Sequence, residues 1–162
     1  MTGDYSKGSR AALRRDAEVK EVLPPRTGLA FRAMRELRSG LEDLNDFVRR
    51  VDEVQRREGY RLVAVFDDEA RDAVAVAGFR IGQNLAWGRY LYVDDLSTLP
   101  EARRRGYAGD LLEWLVAEGQ RLGCDEFHLD SGVGANRGDA HRLYLNTGMA
   151  ISAHHFAMSL KS

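Results

Sequence analysis

The sequence predicts an α/β fold in which a mixed, mostly antiparallel central sheet of about six strands has helices on both faces. Short apolar segments with the period of a strand recur along the chain, and amphipathic segments with the period of a helix stand between some of them. The chain has 162 residues, which suits one sizeable core better than two domains. We therefore expect a single domain over residues 16–162.

The segments before residue 60 are expected to form a leader, one strand and two helices. Residues 1–15 are polar, small and basic, and they predict a loose leader or a short helix from Ser9 to Arg15. Alternating apolar and charged residues then indicate a strand, which ends at a pair of prolines. Two runs with apolar residues every three or four positions indicate helices. The strand is expected over residues 17–23, and the helices over residues 27–38 and 41–58.

Three strands are expected to follow in close succession. Residues 60–66 and 73–81 form a predicted hairpin around the turn DDEARD, and apolar residues at nearly every position indicate a central strand that is covered on both faces. A connection over residues 84–88 leads to a strand over residues 89–98. Because these links are short, we expect three antiparallel neighbours.

The remaining elements alternate between helix and strand. A helix is expected to begin after Gly106 and to end at Gly123, and a strand over residues 125–130 should lie parallel to the strand before that helix. The glycine-rich loop SGVGANRG leads to a short helix over residues 139–146. A final strand is predicted over residues 149–160.

Composition excludes several classes of function. The net charge of −1 offers no global field for nucleic acid or an acidic membrane, so neither is expected as a partner. No apolar run has the length of a membrane span and the N-terminus lacks the apolar core of a signal peptide, so we expect a cytoplasmic protein. Cys124 is the lone cysteine and rules out an intrachain disulfide framework. The four histidines show no metal-ligand spacing, so no metal is expected.

A turn that suits a phosphate ligand stands before the predicted helix at Gly106. It reads R-x-x-G-x-A at Arg103, Gly106 and Ala108. First-turn amides have no partner within a helix, the helix dipole favours an anion, and small residues allow close approach. The run of arginines could instead form a solvated positive patch. The turn lacks the lysine of a P-loop and the third glycine of a dinucleotide fingerprint, which argues against those two classes.

This region resembles the acetyl-CoA motif of the GCN5-related N-acetyltransferases (GNAT superfamily), because it contains a strand, Pro-Glu, R-x-x-G-x-A and an amphipathic helix in that order. The downstream HRLYLNTGM is similar to that family's helix with a tyrosine and a following glycine. The resemblance implies a splayed cleft between two central strands, with the pantetheine arm along the strand of Leu96 and Thr98. It implies a bulge at residues 94–96 and a free amide, that of Leu96, on the acetyl carbonyl.

The resemblance further implies acetyl-CoA as acyl donor. Backbone amides in the turn would bind its pyrophosphate, and the arginine side chains would add attraction to the ribose phosphate. An asparagine of the glycine-rich loop would contact pantetheine. The expected cofactor-binding residues are Leu96, Ser97, Thr98, Arg103, Arg104, Arg105, Gly106, Tyr107, Ala108, Gly109 and Asn136.

Three residues are candidates for catalysis. The resemblance implies that Tyr144 is the general acid for the departing thiolate, whereas a tyrosine among leucines on a short helix can also be a core aromatic. Asp94 and Asp95 are adjacent on a strand, so we expect their side chains on opposite faces. One of them, with Asp94 favoured, would hold the acceptor ammonium or take its proton; a strand-end aspartate bonded to a turn is the alternative.

The predicted function is transfer of acetyl from acetyl-CoA to a primary amine in a ternary complex; the alternative is a non-catalytic acetyl-CoA-binding sensor or interaction module. The acceptor, a small molecule or a peptide, carries no motif in this sequence. The chain is expected to be a monomer or a homodimer. By the resemblance, the acceptor site is expected around Phe31, Arg35, Tyr92, His154 and His155.

Overall fold

The computed structural model describes residues 17–68 and 70–161, and the predicted leader lies outside them. Its centre is a five-stranded sheet in the order β1-β2-β3-β4-β5. The strands are Ala17–Glu21 (β1), Arg61–Asp67 (β2), Ala75–Asn84 (β3), Gly88–Thr98 (β4) and Glu126–Leu129 (β5). The α-helices are Phe31–Leu37 (α1), Leu44–Arg49 (α2), Tyr107–Arg121 (α3) and Gly138–Asn146 (α4). Short 3₁₀ turns cover Thr27–Ala30, Pro100–Ala102 and Ala135–Arg137.

Strand pairing confirms the predicted hairpins and crossover. Each of the first four strands is antiparallel to its neighbour, and β5 lies parallel to β4 after the crossover through α3. The predicted central position of the apolar hairpin is also confirmed, since residues 62–65 of β2 and 75–77 of β3 are fully buried.

The helices cover opposite faces of the sheet. Trp114 of α3 packs edge-on against Phe79 of β3, with ring centroids 5.9 Å apart. Arg38, directly after α1, donates a hydrogen bond to Asp95 of β4. Asp95 pairs with Gly78, the neighbour of Phe79 on β3, so its side chain lies on the sheet face opposite Phe79. Since side chains alternate between faces along a strand, α1 and α3 sandwich the sheet.

The second predicted helix is shorter and less regular than expected. Residues 41–43 form a linker, because the Asp43 side chain accepts a hydrogen bond from the Asp46 amide (2.8 Å) and so caps α2 one turn later. Beyond α2 the chain continues as a π-helix over Arg50–Gln55 and a 3₁₀ turn over Arg56–Glu58. Gly59, at φ 84°, ends it as predicted.

The predicted final strand is wrong, which accounts for five strands in place of about six. Residues 150–161 are exposed and form no strand in the part of the chain that the structure describes. The alternation of Phe156, Met158 and Leu160 suits one face of a strand, but a strand forms only when a neighbouring edge supplies its backbone hydrogen bonds.

Candidate active site

A cleft of about 1560 Å³ lies between the end of β4, the turn before α3, and α4. Every residue that was predicted to bind the cofactor lines it, from Leu96 on β4 to Asn136 in the glycine-rich loop. The tertiary structure therefore brings the segment from the end of β4 to the start of α3 together with the glycine-rich loop and α4, which follow only after β5.

The arginine-rich turn presents unpaired amides to this cleft. Gly106 is the N-cap of α3 with φ 85°, a left-handed conformation that favours glycine, and no side chain caps the helix. The first amide of the turn with a partner in the helix is that of Asp110, bonded to the Gly106 carbonyl at 3.1 Å. The amides of residues 107–109 thus remain available to an anion.

Two side chains of the turn are tied to the end of β2. The Tyr107 hydroxyl donates to the Asp67 carboxylate, and Arg105 lies 3.6 Å from the same carboxylate. Tyr107 is buried, and burial together with the bond to Asp67 raises the pKa of its hydroxyl. Sequence reasoning missed Asp67, whose carboxylate holds the turn against the sheet. Arg103 and Arg104 are exposed and, among the described residues, form no ion pair.

Strands β4 and β5 separate at this cleft. β4 pairs with β5 only from Tyr90 to Val93, so the edge of residues 94–98 that faces away from β3 has no strand partner among the described elements. The Leu99 amide donates in register to the Val74 carbonyl (2.9 Å). Because an antiparallel ladder alternates, the amides of Leu96 and Thr98 point away from β3, toward the cleft.

A β-bulge interrupts β4 at the predicted position. Gly78 of β3 pairs with Asp95 and Phe79 pairs with Val93, which leaves Asp94 as the extra residue. The bulge also overturns the prediction that the two carboxylates lie on opposite faces. An inserted residue breaks the two-residue period, and both carboxylates reach groups on the α1 face of the sheet.

These groups form a network of charged and polar side chains. Asp95 accepts hydrogen bonds from the Tyr60 hydroxyl (2.8 Å) and from Arg38 Nε (2.7 Å), while Asp94 accepts from Arg80 Nε (2.7 Å). Arg38 also donates to the Asp94 carbonyl (3.0 Å). Arg80 lies over the Tyr60 ring, 5.3 Å from its centroid. The network holds both carboxylates and the backbone of the bulge.

Tyr60 is the buried centre of this network. Its hydroxyl occupies the space above Gly78, where a Cβ atom would come within 1.8 Å of the oxygen. Burial, followed by the negative charge of Asp95, raises the pKa of Tyr60 well above its ordinary value, so the hydroxyl remains a hydrogen-bond donor. Sequence reasoning missed Arg38, Tyr60 and Arg80, which lie 57, 35 and 14 positions from the aspartates that they bind.

A second cavity of about 310 Å³ adjoins the large cleft. The two share Leu37, Leu96, Arg137 and Tyr144 in their walls. The smaller cavity is lined further by Arg38, Asp94 and Asp130. Asp94 lines this smaller cavity and Asp95 does not, so the aspartate that the sequence analysis favours for contact with the acceptor is the one at this cavity.

Tyr144 lies on α4 at the junction of the two cavities. It is 9% exposed, and burial raises the pKa of its hydroxyl, whereas the charge of Arg137 and a hydrogen bond from that side chain act in the opposite direction. The phenol therefore keeps its proton at neutral pH and has a cationic neighbour that stabilises negative charge on its oxygen. Arg137 is a further residue that sequence reasoning missed, although it follows Asn136 directly.

The predicted acceptor residues do not form one group. Tyr92 donates to Asp130, and His155 Nδ1 lies 3.1 Å from the same carboxylate, at the rim of the smaller cavity. Phe31 packs on Phe47 at a centroid distance of 5.5 Å, as part of the core. Arg35 and His154 are exposed, and neither lines a cavity described above.

Metal-binding clusters and membrane-spanning helices are two further features that the described residues lack. These residues include no group of three or more His, Cys, Asp or Glu side chains that could hold a metal ion. None of the helices within residues 17–68 and 70–161 has the length and apolar character needed to cross a membrane.

Comparison with known proteins identifies relatives of this chain. The model of the Acetyltransferase (GNAT) family matches residues 26–149. An uncharacterized N-acetyltransferase of Bacillus subtilis (strain 168), YhdJ, is 30% identical over 128 residues, which are 78% of this chain and 87% of that protein.

Solved structures share the fold at lower identity. A transcriptional regulator from Bacillus halodurans C-125 is similar with a TM-score of 0.75 at 18% identity, over 89% of this chain and 99% of that chain. AAC(6')-Iy, solved with the bisubstrate analog CoA-S-monomethyl-acetylneamine, has a TM-score of 0.75 at 14% identity, over 90% and 99% of the two chains. The family match spans the bulge, the arginine-rich turn and Tyr144, and this chain belongs to the GNAT acetyltransferase family.

Proposed function

We propose that this protein transfers acetyl from acetyl-CoA directly to a primary amine while both substrates are bound. One observation carries the proposal: one cleft is lined by the arginine-rich turn, the open edge of β4 and Tyr144, and the smaller cavity shares Tyr144 as a wall residue. A donor with a phosphate end and a thioester end would lie in the large cleft. An acceptor amine would enter from the smaller cavity.

The residues of the cleft fit acetyl-CoA. Free amides at residues 107–109 would bind the pyrophosphate, and the exposed guanidinium groups of Arg103 and Arg104 would attract the remaining phosphate. The unpaired edge of β4 would accept the pantetheine arm as an added strand. The amide of Leu96 would polarise the thioester carbonyl, and its orientation toward the cleft supports this role.

The acetyl transfer requires two proton movements. An acceptor that binds as an ammonium group first releases one proton to water. In the transfer itself its neutral nitrogen attacks the thioester carbonyl carbon, the new C–N bond forms, the C–S bond breaks, the nitrogen loses one proton and the sulfur gains one. Tyr144 would donate the proton to the sulfur, and its raised pKa supports a protonated phenol at neutral pH. Arg137 would stabilise the phenolate until it regains a proton. Asp94, directly or through water, would receive the proton of the amine.

The acceptor site favours a cationic amine. Asp94 and Asp130 line the smaller cavity, and their carboxylates would attract an ammonium group. The volume of about 310 Å³ is at the lower end of small-ligand sites, so an amine-bearing arm of a larger molecule would also fit. Since AAC(6')-Iy was solved with an acetylneamine-containing analog, aminoglycosides belong among the first acceptors to test.

A non-catalytic acetyl-CoA-binding module is the second candidate. It is favoured by the ion pairs at the bulge: Asp94 is bound by Arg80 and Asp95 by Arg38, so each carboxylate already has a cationic partner within the protein. The similar fold of the Bacillus halodurans transcriptional regulator is a second reason to test for binding without catalysis. Such a protein would bind acetyl-CoA and release no coenzyme A with any amine.

Two measurements test the proposal in sequence. Saturating acetyl-CoA should raise the Tm, because a ligand that binds only the native state stabilises it, whereas adenosine alone should do little. A larger rise in Tm with NAD or ATP than with acetyl-CoA would assign the cleft to a nucleotide instead of acetyl-CoA. Release of free coenzyme A is then measured with polyamines, aminoglycosides, amino acids and peptide N-termini. Binding of acetyl-CoA without turnover across these acceptor classes would favour the non-catalytic module.

A further inference from the structure

Asp67 is an acidic residue in the cleft that is proposed to bind a phosphate ligand. It ends β2, it lines the large cleft together with the arginine-rich turn, and its side chain is only 12% exposed. A carboxylate near a bound anion raises the free energy of the complex, and the effect is larger where water is partly excluded. By its charge alone, Asp67 should weaken the binding of any phosphate ligand in this cleft.

The contacts of Asp67 indicate a different role. The Tyr107 hydroxyl donates to Asp67 Oδ2, and Arg105 Nη1 lies 3.6 Å from the same oxygen. Tyr107 is the first residue of α3, and its ring belongs to the buried core. The carboxylate therefore ties the start of this helix to the end of an inner strand of the sheet, across 40 positions of the chain.

The backbone of the turn depends on contacts of this kind. Arg104 has φ 63°, and no other non-glycine residue among those that the structure describes has a positive φ. Gly106 follows at φ 85°. The left-handed conformation costs free energy in a residue with a side chain, and it persists where surrounding contacts hold it. Arg105, which the Asp67 carboxylate attracts, stands between these two left-handed residues.

We propose that Asp67 is a positioning residue for binding of the acyl donor. Its carboxylate holds Arg105 and Tyr107, so that the unpaired amides of residues 107–109 are in place before the ligand arrives. Preorganised amides bind an anion without the cost of ordering the turn, and this gain exceeds the repulsion between the carboxylate and the phosphates. The inference rests on the proposed function, because acetyl-CoA is the ligand that the turn is proposed to bind.

Positioning and charge predict opposite effects when Asp67 is neutralised. Asp67→Asn keeps the size of the side chain, removes its charge and releases Arg105 to attract phosphate. By charge alone, this variant should bind acetyl-CoA more tightly than the wild type does. If the carboxylate holds the turn, the variant should bind acetyl-CoA more weakly. The Kd should rise about tenfold when the population of the competent turn falls to about one tenth.

The test is the Kd for acetyl-CoA, measured by titration calorimetry. Tyr107→Phe removes the hydroxyl that Asp67 binds and leaves every charge in place, so positioning alone predicts weaker binding by this variant. Asp68→Asn is the matched control. Asp68 is exposed and lines the same cleft, and its side chain forms no hydrogen bond or ion pair within the described part of the chain. Asp68→Asn should bind acetyl-CoA as the wild type does or slightly more tightly.

Amide signals of the ligand-free protein provide a second readout, which a uniform loss of stability would not move. In nitrogen–proton correlation spectra, the signals of residues 104–110 should shift or broaden in Asp67→Asn and in Tyr107→Phe. Those of the buried strand residues 62–65 should stay in place in both variants.

Wild-type or tighter affinity of Asp67→Asn for acetyl-CoA would overturn the proposal, as would equal losses of affinity in Asp67→Asn and Asp68→Asn. If Asp67→Asn does not fold, unchanged affinity of Tyr107→Phe overturns it. A wild-type protein that does not bind acetyl-CoA would refute the proposed function, and the amide signals would then decide the role of Asp67. Unshifted signals of residues 107–109 overturn that role, and shifts confined to the turn support it.

Discussion

Gly78→Ala is expected to destabilise this protein far more than a glycine-to-alanine change in a strand ordinarily does. A Cβ atom at position 78 would lie 1.8 Å from the Tyr60 hydroxyl oxygen, 2.2 Å from Cζ and 2.5 Å from Cε2. Tyr60 is 5% exposed, so its ring has no solvent-filled space to move into. The ring must be displaced, and its hydrogen bond to Asp95 is then lost.

The magnitude follows from two terms. A hydrogen bond to a charged group is worth about 1.5–3 kcal/mol, and overpacking of a tight site costs about 1–3 kcal/mol. We therefore expect Gly78→Ala to reduce the free energy of unfolding by about 3–5 kcal/mol. For a domain of this size the loss corresponds to a fall in Tm of roughly 10 °C.

The assay is urea unfolding at pH 7 with matched controls. Gly82→Ala, on the same strand, would bring a Cβ atom within 2.4 Å of Tyr90, but Tyr90 is only half-buried and can turn aside. Its cost should stay below about 1.5 kcal/mol. In a Tyr60→Ala background the clash is absent, so the further change Gly78→Ala should cost less than about 1 kcal/mol. The difference between the costs of Gly78→Ala in the two backgrounds is the coupling energy of the double-mutant cycle, and it should be large.

Equal costs of Gly78→Ala in the two backgrounds would refute this reasoning. So would a Gly78→Ala protein with wild-type stability, because the bulge would then be held by something other than the Tyr60–Asp95 contact. In either case Arg38, which binds both the Asp95 carboxylate and the Asp94 carbonyl, would become the group to vary next.

Three further predictions concern the turn, the proposed acid and the pH dependence of stability. Gly106→Val forces a β-branched residue to φ 85° at the N-cap of α3, so it should weaken acetyl-CoA binding severely in calorimetry. Arg103→Ala should weaken this binding less. Unchanged affinity of the folded Gly106→Val protein for acetyl-CoA would contradict the assignment of the turn to phosphate binding. Tyr144→Phe should keep acetyl-CoA affinity within a few-fold and lower kcat about 10²-fold under conditions where chemistry limits turnover; a wild-type rate would return Tyr144 to a packing role. Hydrogen bonds from Arg121 and Arg61 lower the pKa of the buried Glu118 to about 2 from an ordinary 4.5. The contribution of ionised Glu118 to the free energy of unfolding is therefore complete above pH 4.5 and is lost as the pH falls toward 2. Glu118→Gln should therefore cost about 2–3 kcal/mol in denaturant unfolding at pH 7 and progressively less below pH 4.5, and a cost independent of pH would contradict the assignment.

Much of the candidate site could be predicted before the structure, because it is encoded locally. The arginine-rich turn depends on a glycine at positive φ and on the first turn of a helix, and both are features of a few consecutive residues. All of the predicted cofactor-binding residues accordingly line one cleft. The role of each in binding stays a prediction.

The groups that hold the bulge could not be predicted in the same way. Arg38 follows α1, Tyr60 precedes β2 and Arg80 lies on β3. The contact between Arg38 and Asp95 joins residues 57 positions apart. No local pattern marks such a contact. The expectation that Asp94 and Asp95 lie on opposite faces failed for the same reason, since the strand period holds only where pairing is regular.

The sequence by itself determined the fold class, the order of β2, β3 and β4, the parallel crossover to β5 and the glycine turn at the start of α3. Hydrophobic periodicity, link length and glycine placement act over short distances and are readable from neighbouring residues. Only the tertiary structure decided that residues 149–160 form no strand, that both aspartates share one face, and that Tyr144 lies between two cavities. These features depend on which distant backbone edges and side chains meet, and hydrogen-bond partners far along the chain leave no local signature.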